Sequence, residues 1–203
     1  KEVAETADGK TFKYTVSNLR AMKSEPNSLG YLYHYPHILV VTKAFKTDEG
    51  QKKVIASVDD LYNWYSSLVE EVENDNKVFA EEVNRITANL KTPEERIRAI
   101  YYWVQDNIRY IAFEDGIAGF KPGAAQHVYA NRYGDCKGMA NLTKQMLKVA
   151  GFDARLTWIG TNRIPYTYDV PTLAVDNHMI CTVYQSDKLL ILDPTEKYIA
   201  LGN

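Results

Sequence analysis

Arg132-Tyr133-Gly134-Asp135-Cys136-Lys137-Gly138 sets one cysteine in a run of polar residues and glycines, just before a segment that reads as a helix to about Ala150. Gly151 is placed to cap the end of that helix. A cysteine at a helix start lies against the positive end of the helix dipole and against N–H groups with no partner inside the helix. Both favour the thiolate, which is the nucleophilic form. Gly134 allows a sharp turn into the helix, and Lys137 adds a positive neighbour. A lone cysteine is more often a small buried hydrophobe, but the polar run around Cys136 argues against a core position.

Working outward toward the C-terminus, residues 152–159 read as a strand and 161–177 as a loop carrying Tyr166 and Tyr168. Residues 178–184 and 189–193 read as two strands around a turn at Ser186-Asp187, and Pro194 ends the second. A turn centred between Ser186 and Asp187 pairs residue 180 with Asp193, and His178 with Thr195. Side chains alternate along a strand, so His178 shares a face with residue 180. His178 and Asp193 are then diagonal neighbours, roughly 7 Å apart at Cβ or less. That is within reach of a carboxylate–imidazole hydrogen bond, the arrangement in which an aspartate orients a general base. A slip of one residue would break it. Cys181 falls on the opposite face and reads as a packed core thiol. A Cys136–Cys181 disulfide would have to join the helix start to the wrong face of the strand.

Working outward toward the N-terminus, Leu61, Tyr65, Leu68 and Val72 fall at helical spacing, and Phe79, Val83, Ile86 and Leu90 repeat the pattern. Thr92-Pro93-Glu94-Glu95 places a capping Thr, a Pro at the first helical position and a Glu three residues after the cap. The helix it opens carries Ile97, Ile100, Tyr101, Val104 and Ile108. Residues 110–113 read as a short strand or the end of a turn, and 114–135 as loop with a short helix over 124–131. Before all of this, Phe12, Tyr14 and Val16 alternate with polar residues, Tyr31, Tyr33 and Tyr35 alternate again, and 37–41 is an apolar, β-branched run. Residues 1–57 therefore read as strands, too few for an independent sheet. The order of elements is that of an α+β fold with an antiparallel sheet.

Composition removes several classes. Two cysteines exclude a disulfide-stapled mini-protein, a four-cysteine zinc site and an iron–sulfur cluster. Twenty-four basic against 26 acidic residues give no basic face, so nucleic acid is not the expected partner. No apolar run approaches about 18 residues, so no membrane span is expected. His34, His37 and His127 make no metal pattern, there being no His-Glu-x-x-His and no Cys-x-x-Cys. Fifteen tyrosines, many in loops, favour an aromatic-lined groove or interface.

Cysteine, histidine and aspartate in that order, the first at a helix start and the others on adjacent strands, resemble the transglutaminase-like superfamily. Residues 132–138 are similar to the nucleophile motif of its bacterial branch, and Ala150-Gly151-Phe152-Asp153-Ala154-Arg155 to the stretch that follows the helix. Asn177-His178 and Leu192-Asp193-Pro194-Thr195 resemble its histidine and aspartate motifs, and residues 100–110 the helix before the core. The resemblance covers roughly residues 90–203. More loosely, 1–85 resemble the tail of the β-sandwich domain that precedes this core in secreted Bacteroidetes-type proteins. Relatives continue past the aspartate motif, so a fragment of a longer protein is expected.

The resemblance implies an α+β, papain-like core with the nucleophile helix packed on an antiparallel sheet. Residues 1–57 would be the tail of a β domain, 58–90 connecting helices and 91–203 the core. It implies a thiol acyl-transfer enzyme in which Cys136 attacks an amide carbonyl, His178 moves the proton and Asp193 orients His178. The Cys136 N–H would be one oxyanion donor. By analogy the second is Gln126, as in papain-like proteases, or Trp103, as in transglutaminases that use an indole N–H. Tyr133, Trp158, Tyr166, Tyr168 and Asn177 are groove candidates. The substrate would be a protein or peptide, hydrolysed by water or cross-linked by a lysine amine, with hydrolysis favoured. No cofactor or metal is implied. Contacts with further domains of a longer chain, and a periplasmic, cell-envelope or secreted setting, are expected. The rivals are a non-catalytic peptide- or glycan-binding module that kept the fold, and a disulfide-stabilised structural domain.

Overall fold

The structure, a computed structural model, describes residues 2–6, 9–23, 25–26, 28–185 and 188–201. The chain opens with two antiparallel hairpins, β1 (Glu2–Thr6) with β2 (Gly9–Lys13), and β3 (Ala44–Thr47) with β4 (Gly50–Lys53). Gly50 closes the second turn at φ +118, a value L side chains rarely adopt.

Between the hairpins the expected strands are not formed. Tyr31–Tyr33 is one turn of 3-10 helix, and 37–41 has no regular structure, with Ile38 and Val40 exposed. The Tyr33 hydroxyl donates to the Ile164 carbonyl at 2.6 Å, and the Tyr35 hydroxyl accepts from the Met22 N–H and donates to the Arg20 carbonyl. Alternation marks two faces, but a strand also needs a neighbouring edge; here the tyrosine hydroxyls set the path instead. Phe12, Tyr14 and Val16, expected to be half-buried in a strand, are each about half exposed, and β2 ends at Lys13.

The helices follow their local signals. α1 (Val58–Glu70) starts at Ser57, whose hydroxyl accepts from the Asp60 N–H. α2 spans Lys77–Thr87. α3 (Pro93–Asn107) carries the complete capping box, Thr92 and Glu95 each accepting from the other's backbone N–H. β5 (Arg109–Tyr110) pairs in parallel with β6 (Tyr133–Gly134), and α4 (Ala125–Asn131) lies between them in sequence. α5 (Cys136–Val149) ends at Gly151, which sits at φ +88. The sheet has the order β7-β8-β9, from β7 (Asp153–Ile159), β8 (His178–Gln185) and β9 (Lys188–Leu192), all antiparallel. Cys181 faces Leu192 and Gln185 faces Lys188, which is the register that a turn between 186 and 187 requires. Ser186 and Asp187 themselves lie outside the described residues.

Burial on every side of α5 organises the core. Leu142, Met146 and Leu147 join Val83, Ile97 and Val104 from α2 and α3 with Cys181, Val183 and Leu192 from the sheet. A second apolar cluster gathers Leu61 and Tyr65 of α1, Cys136 and Ala140 of α5, Trp158 and Met179. Cys136, expected off the core from its polar neighbours, is thus itself buried, because α5 is packed on every side from its first residue. Helices α1 and α2 are thus packed parts of the core. Among the described residues no helix is long and apolar enough to cross a membrane.

Candidate functional site

Cys136 is the first residue of α5, so its backbone N–H has no acceptor inside the helix. Asp135 is the cap, accepting from the Gly138 N–H at 2.8 Å. Its carboxylate also pairs with the Lys137 ammonium, both side chains more than nine-tenths buried. Lys137 is therefore neutralised by Asp135 and also donates to the Phe113 carbonyl; it is not a bare charge beside the sulfur. The parallel bridge places Ile111 N–H on the Gly134 carbonyl, which holds Tyr110 next to the segment that leads into Cys136.

His178 opens β8 and Asp193 follows β9, and the observed register makes them diagonal neighbours. His178 Nε2 lies 2.8 Å from Asp193 Oδ2, with 16% and 21% of the side chains exposed. The ring's other nitrogen, Nδ1, is not engaged by Asp193, and Cys136 is among the groups that act on the His178 charge. Asp193 Oδ1 accepts from the Thr195 N–H and from its hydroxyl at 2.7 Å. The turn after β9 is anchored from α3. The Tyr101 hydroxyl donates to the carbonyls of Asp193 and Ile199, and Gln105 Nε2 donates to the Tyr101 oxygen and to the carbonyls of Glu196 and Ile199.

These contacts set the charges. Burial disfavours a charged imidazole at His178, but hydrogen bonds to Asp193 and Cys136, and their negative charges, outweigh it and push its pKa up to about 10. Burial likewise works against the Asp193 carboxylate, and the bonds from His178 and Thr195 hold its pKa below the ordinary value. Burial first, then the charges of Cys136, Glu114, Asp135 and Asp193, push Tyr110 up to about 12, so the phenol keeps its proton. Cys181 is fully buried on the other face, and burial pushes its thiol up to about 12. Both cysteines are free, so the disulfide reading is removed.

A cleft of about 1180 Å³ is bordered by Tyr110, His178, Asp193 and Thr195 on one side and by Met22, Pro26, Leu29, Tyr31 and residues 161–163 on the other; Cys136 is buried and is not among its bordering residues. Asn177 also borders it, although its amide is engaged with Thr161 and closes the 161–177 loop. The two proposed oxyanion side chains are elsewhere. Gln126 Oε1 accepts from the Asp75 N–H and its Nε2 donates to the Glu73 carbonyl, tying the α1–α2 loop to α4. Trp103 stacks on Tyr129 beneath the Arg132 guanidinium. Both point into helix packing because their partners are distant in sequence.

The aromatic candidates divide. Tyr133 borders a separate cavity of about 330 Å³, beside Phe113 and Val128. Trp158 stacks on Tyr65 in the apolar cluster that backs Cys136, and Tyr166 packs against that cluster. Tyr168 donates a short hydrogen bond to buried Asp176. Tyr110 and Thr195 border the cleft, although the sequence assigns neither a site role and places Thr195 only as the strand partner of His178. The Tyr110–Phe113 segment was read as a possible strand, but its partner lies 24 residues away at Gly134, which no local pattern encodes.

The sequence model of the transglutaminase-like superfamily matches residues 80–194. No curated protein matches the chain. Among solved structures, one similar to it is a "putative protease" from Parabacteroides distasonis, at 15% identity and a TM-score of 0.57, with 78% of this chain and 31% of that one covered. Weaker likenesses are a "putative cysteine protease" from Cytophaga hutchinsonii (15% identity, TM-score 0.45, 70% and 44% covered) and a TGase (14%, 0.41, 76% and 41%). The chain spans about a third of the length of the first of these, and at such identity the likeness concerns the fold. The family model covers more than half of the chain and takes in Cys136, His178 and Asp193 together, so the chain belongs to the transglutaminase-like superfamily.

Proposed function

We propose that this chain carries out thiol-dependent acyl transfer at amide carbonyls, with water as the acceptor: peptide or amide hydrolysis. The observation that carries the reading is the His178 ring fixed at 2.8 Å on the Asp193 carboxylate and favoured as imidazolium, with Cys136 at the head of α5 as the nucleophile it serves. The thiolate attacks the carbonyl carbon and the carbonyl electrons move to oxygen. Collapse of the tetrahedral intermediate breaks the C–N bond, and the His178 imidazolium protonates the departing amine. Neutral His178 then takes a proton from water as it attacks the thioester, and thiolate and imidazolium are restored as the acid leaves. Asp193 keeps Nε2 protonated and the ring aimed at the sulfur.

One oxyanion donor is the free N–H of Cys136. Tyr110 is our choice for the second, because it borders the cleft with His178 and stays protonated, whereas Gln126 and Trp103 are engaged elsewhere. Removing such a donor typically costs about 10²–10³ in turnover. An active thiol whose one cysteine companion is buried out of reach suits an extracytoplasmic, cell-envelope setting.

The test is alkylation of Cys136 by iodoacetamide as a function of pH, read by mass spectrometry. The reading expects neutral-pH labelling much faster than that of a free thiol, and loss of hydrolysis of a mixed peptide substrate in Cys136→Ala. Labelling no faster than a free thiol would sink it.

A further inference from the structure

Residues 20–23, 25–26 and 28–37, outside the matched family region, lie beside the cleft. Met22, Leu29, Gly30 and Tyr31 border the same space as His178 and Asp193. The segment is folded on itself by Tyr35, whose hydroxyl joins the backbone of Arg20 and Met22. It is fastened to the 161–166 loop at three points. Gly30 lies so close to the Arg163 backbone that a Cβ would stand 2.6 Å from the Arg163 carbonyl oxygen. The Tyr33 hydroxyl donates to the Ile164 carbonyl at 2.6 Å, and the His37 ring meets the Tyr166 ring edge-on at 5.5 Å.

We propose that Met22, Pro26, Leu29 and Tyr31 form the outer wall of the substrate-binding cleft, and that this wall selects among extended polypeptides lying between it and the His178–Asp193 edge. The inference rests on the acyl-transfer reading of the site and adds the substrate's form and the segment that selects it. The space is about 1180 Å³, larger than the roughly 300–1,000 Å³ of ordinary small-molecule pockets. It mixes hydrogen-bonding groups, Ser28, Asn162 and Thr195, with the apolar Met22, Pro26 and Leu29. A chain of peptide groups with intermittent apolar side chains suits such walls. A small ligand would leave most of them unfilled. The family core supplies the reacting groups, and the preceding segment decides which chains reach them.

The experiment is protection of Cys136 in the full chain from iodoacetamide, measured with and without a mixed-sequence hexapeptide amide library, and with a dipeptide amide library of the same composition. Each protein serves as its own reference through the ratio of the two rates. Hexapeptides should slow alkylation where dipeptides do not. Gly30→Leu, which forces the wall off the Arg163 backbone, should raise the half-protecting concentration by about tenfold, and Tyr33→Phe should raise it less. Thermal melting identifies a variant that has not folded, and Tyr33→Phe then decides alone. Equal protection by both libraries, or protection unchanged in the variants, overturns the proposal. Protection reports occupancy even if Cys136 proves an ordinary thiol, so failure of the acyl-transfer reading and failure of the wall are distinguished.

Discussion

Asp193→Asn isolates the contact that charges His178. The side chain keeps its size, and its carbonyl oxygen stays with the two Thr195 donors, at 3.1 and 2.7 Å. Its NH2 then faces His178 Nε2, where the carboxylate was at 2.8 Å. A donor now meets a donor, and the imidazolium loses its anionic acceptor. Net hydrogen bonds to charged groups contribute about 1.5–3 kcal/mol. At about 1.4 kcal/mol per pKa unit, that lowers the His178 midpoint by roughly one to two units from about 10. Nitrogen-15 NMR of the His178 ring across pH reads the midpoint directly, and iodoacetamide labelling of Cys136 at neutral pH should slow in parallel.

Stability supplies a check on sign. The folded pKa of His178 lies above its ordinary 6.5, so its contribution is complete below that pH and fades as pH rises through about 10. The folded pKa of Asp193 is depressed, so its contribution is present above the ordinary 3.8 and lost as pH falls further. The cost of Asp193→Asn in urea denaturation should therefore be greatest between those ordinary values and shrink on both sides. A His178 midpoint that does not move, or a cost that is flat across pH, refutes the coupling.

Three further outcomes follow from the packing. Gln105→Leu removes the donor shared by the Tyr101 oxygen and the Glu196 and Ile199 carbonyls, which should cost about 0.5–1.5 kcal/mol in chemical denaturation and slow Cys136 labelling through the loosened Asp193 turn. Lys137→Met strands the buried Asp135 carboxylate, for a loss of about 3–5 kcal/mol, and hydrogen exchange should show the first turn of α5 opening. In the native protein iodoacetamide should label Cys136 and leave Cys181 untouched, because Cys181 is fully buried and burial holds its proton; peptide mapping decides, and prompt native labelling at Cys181 would contradict the packing.

The sequence determined what local rules govern. Thr92-Pro93-Glu94-Glu95 fixed the start of α3 because a cap, a proline and a reciprocal Glu act within one turn. Asp135 and Gly151 bounded α5 in the same way. The His178–Asp193 contact was legible because one short turn sets the register of a whole hairpin and period-two alternation does the rest. Tertiary structure decided everything that depended on a distant partner. Gln126 went to residues 73–75 and Trp103 to Tyr129 and Arg132, while Tyr110 reached the cleft through a bridge to Gly134. The tyrosines at 31–35 alternate as a strand would, yet their hydroxyls found carbonyls at Arg20 and Ile164 and bent the chain along the cleft instead. Alternation records which residues could share a face. Only the folded chain supplies the edge or carbonyl that makes one of those faces real.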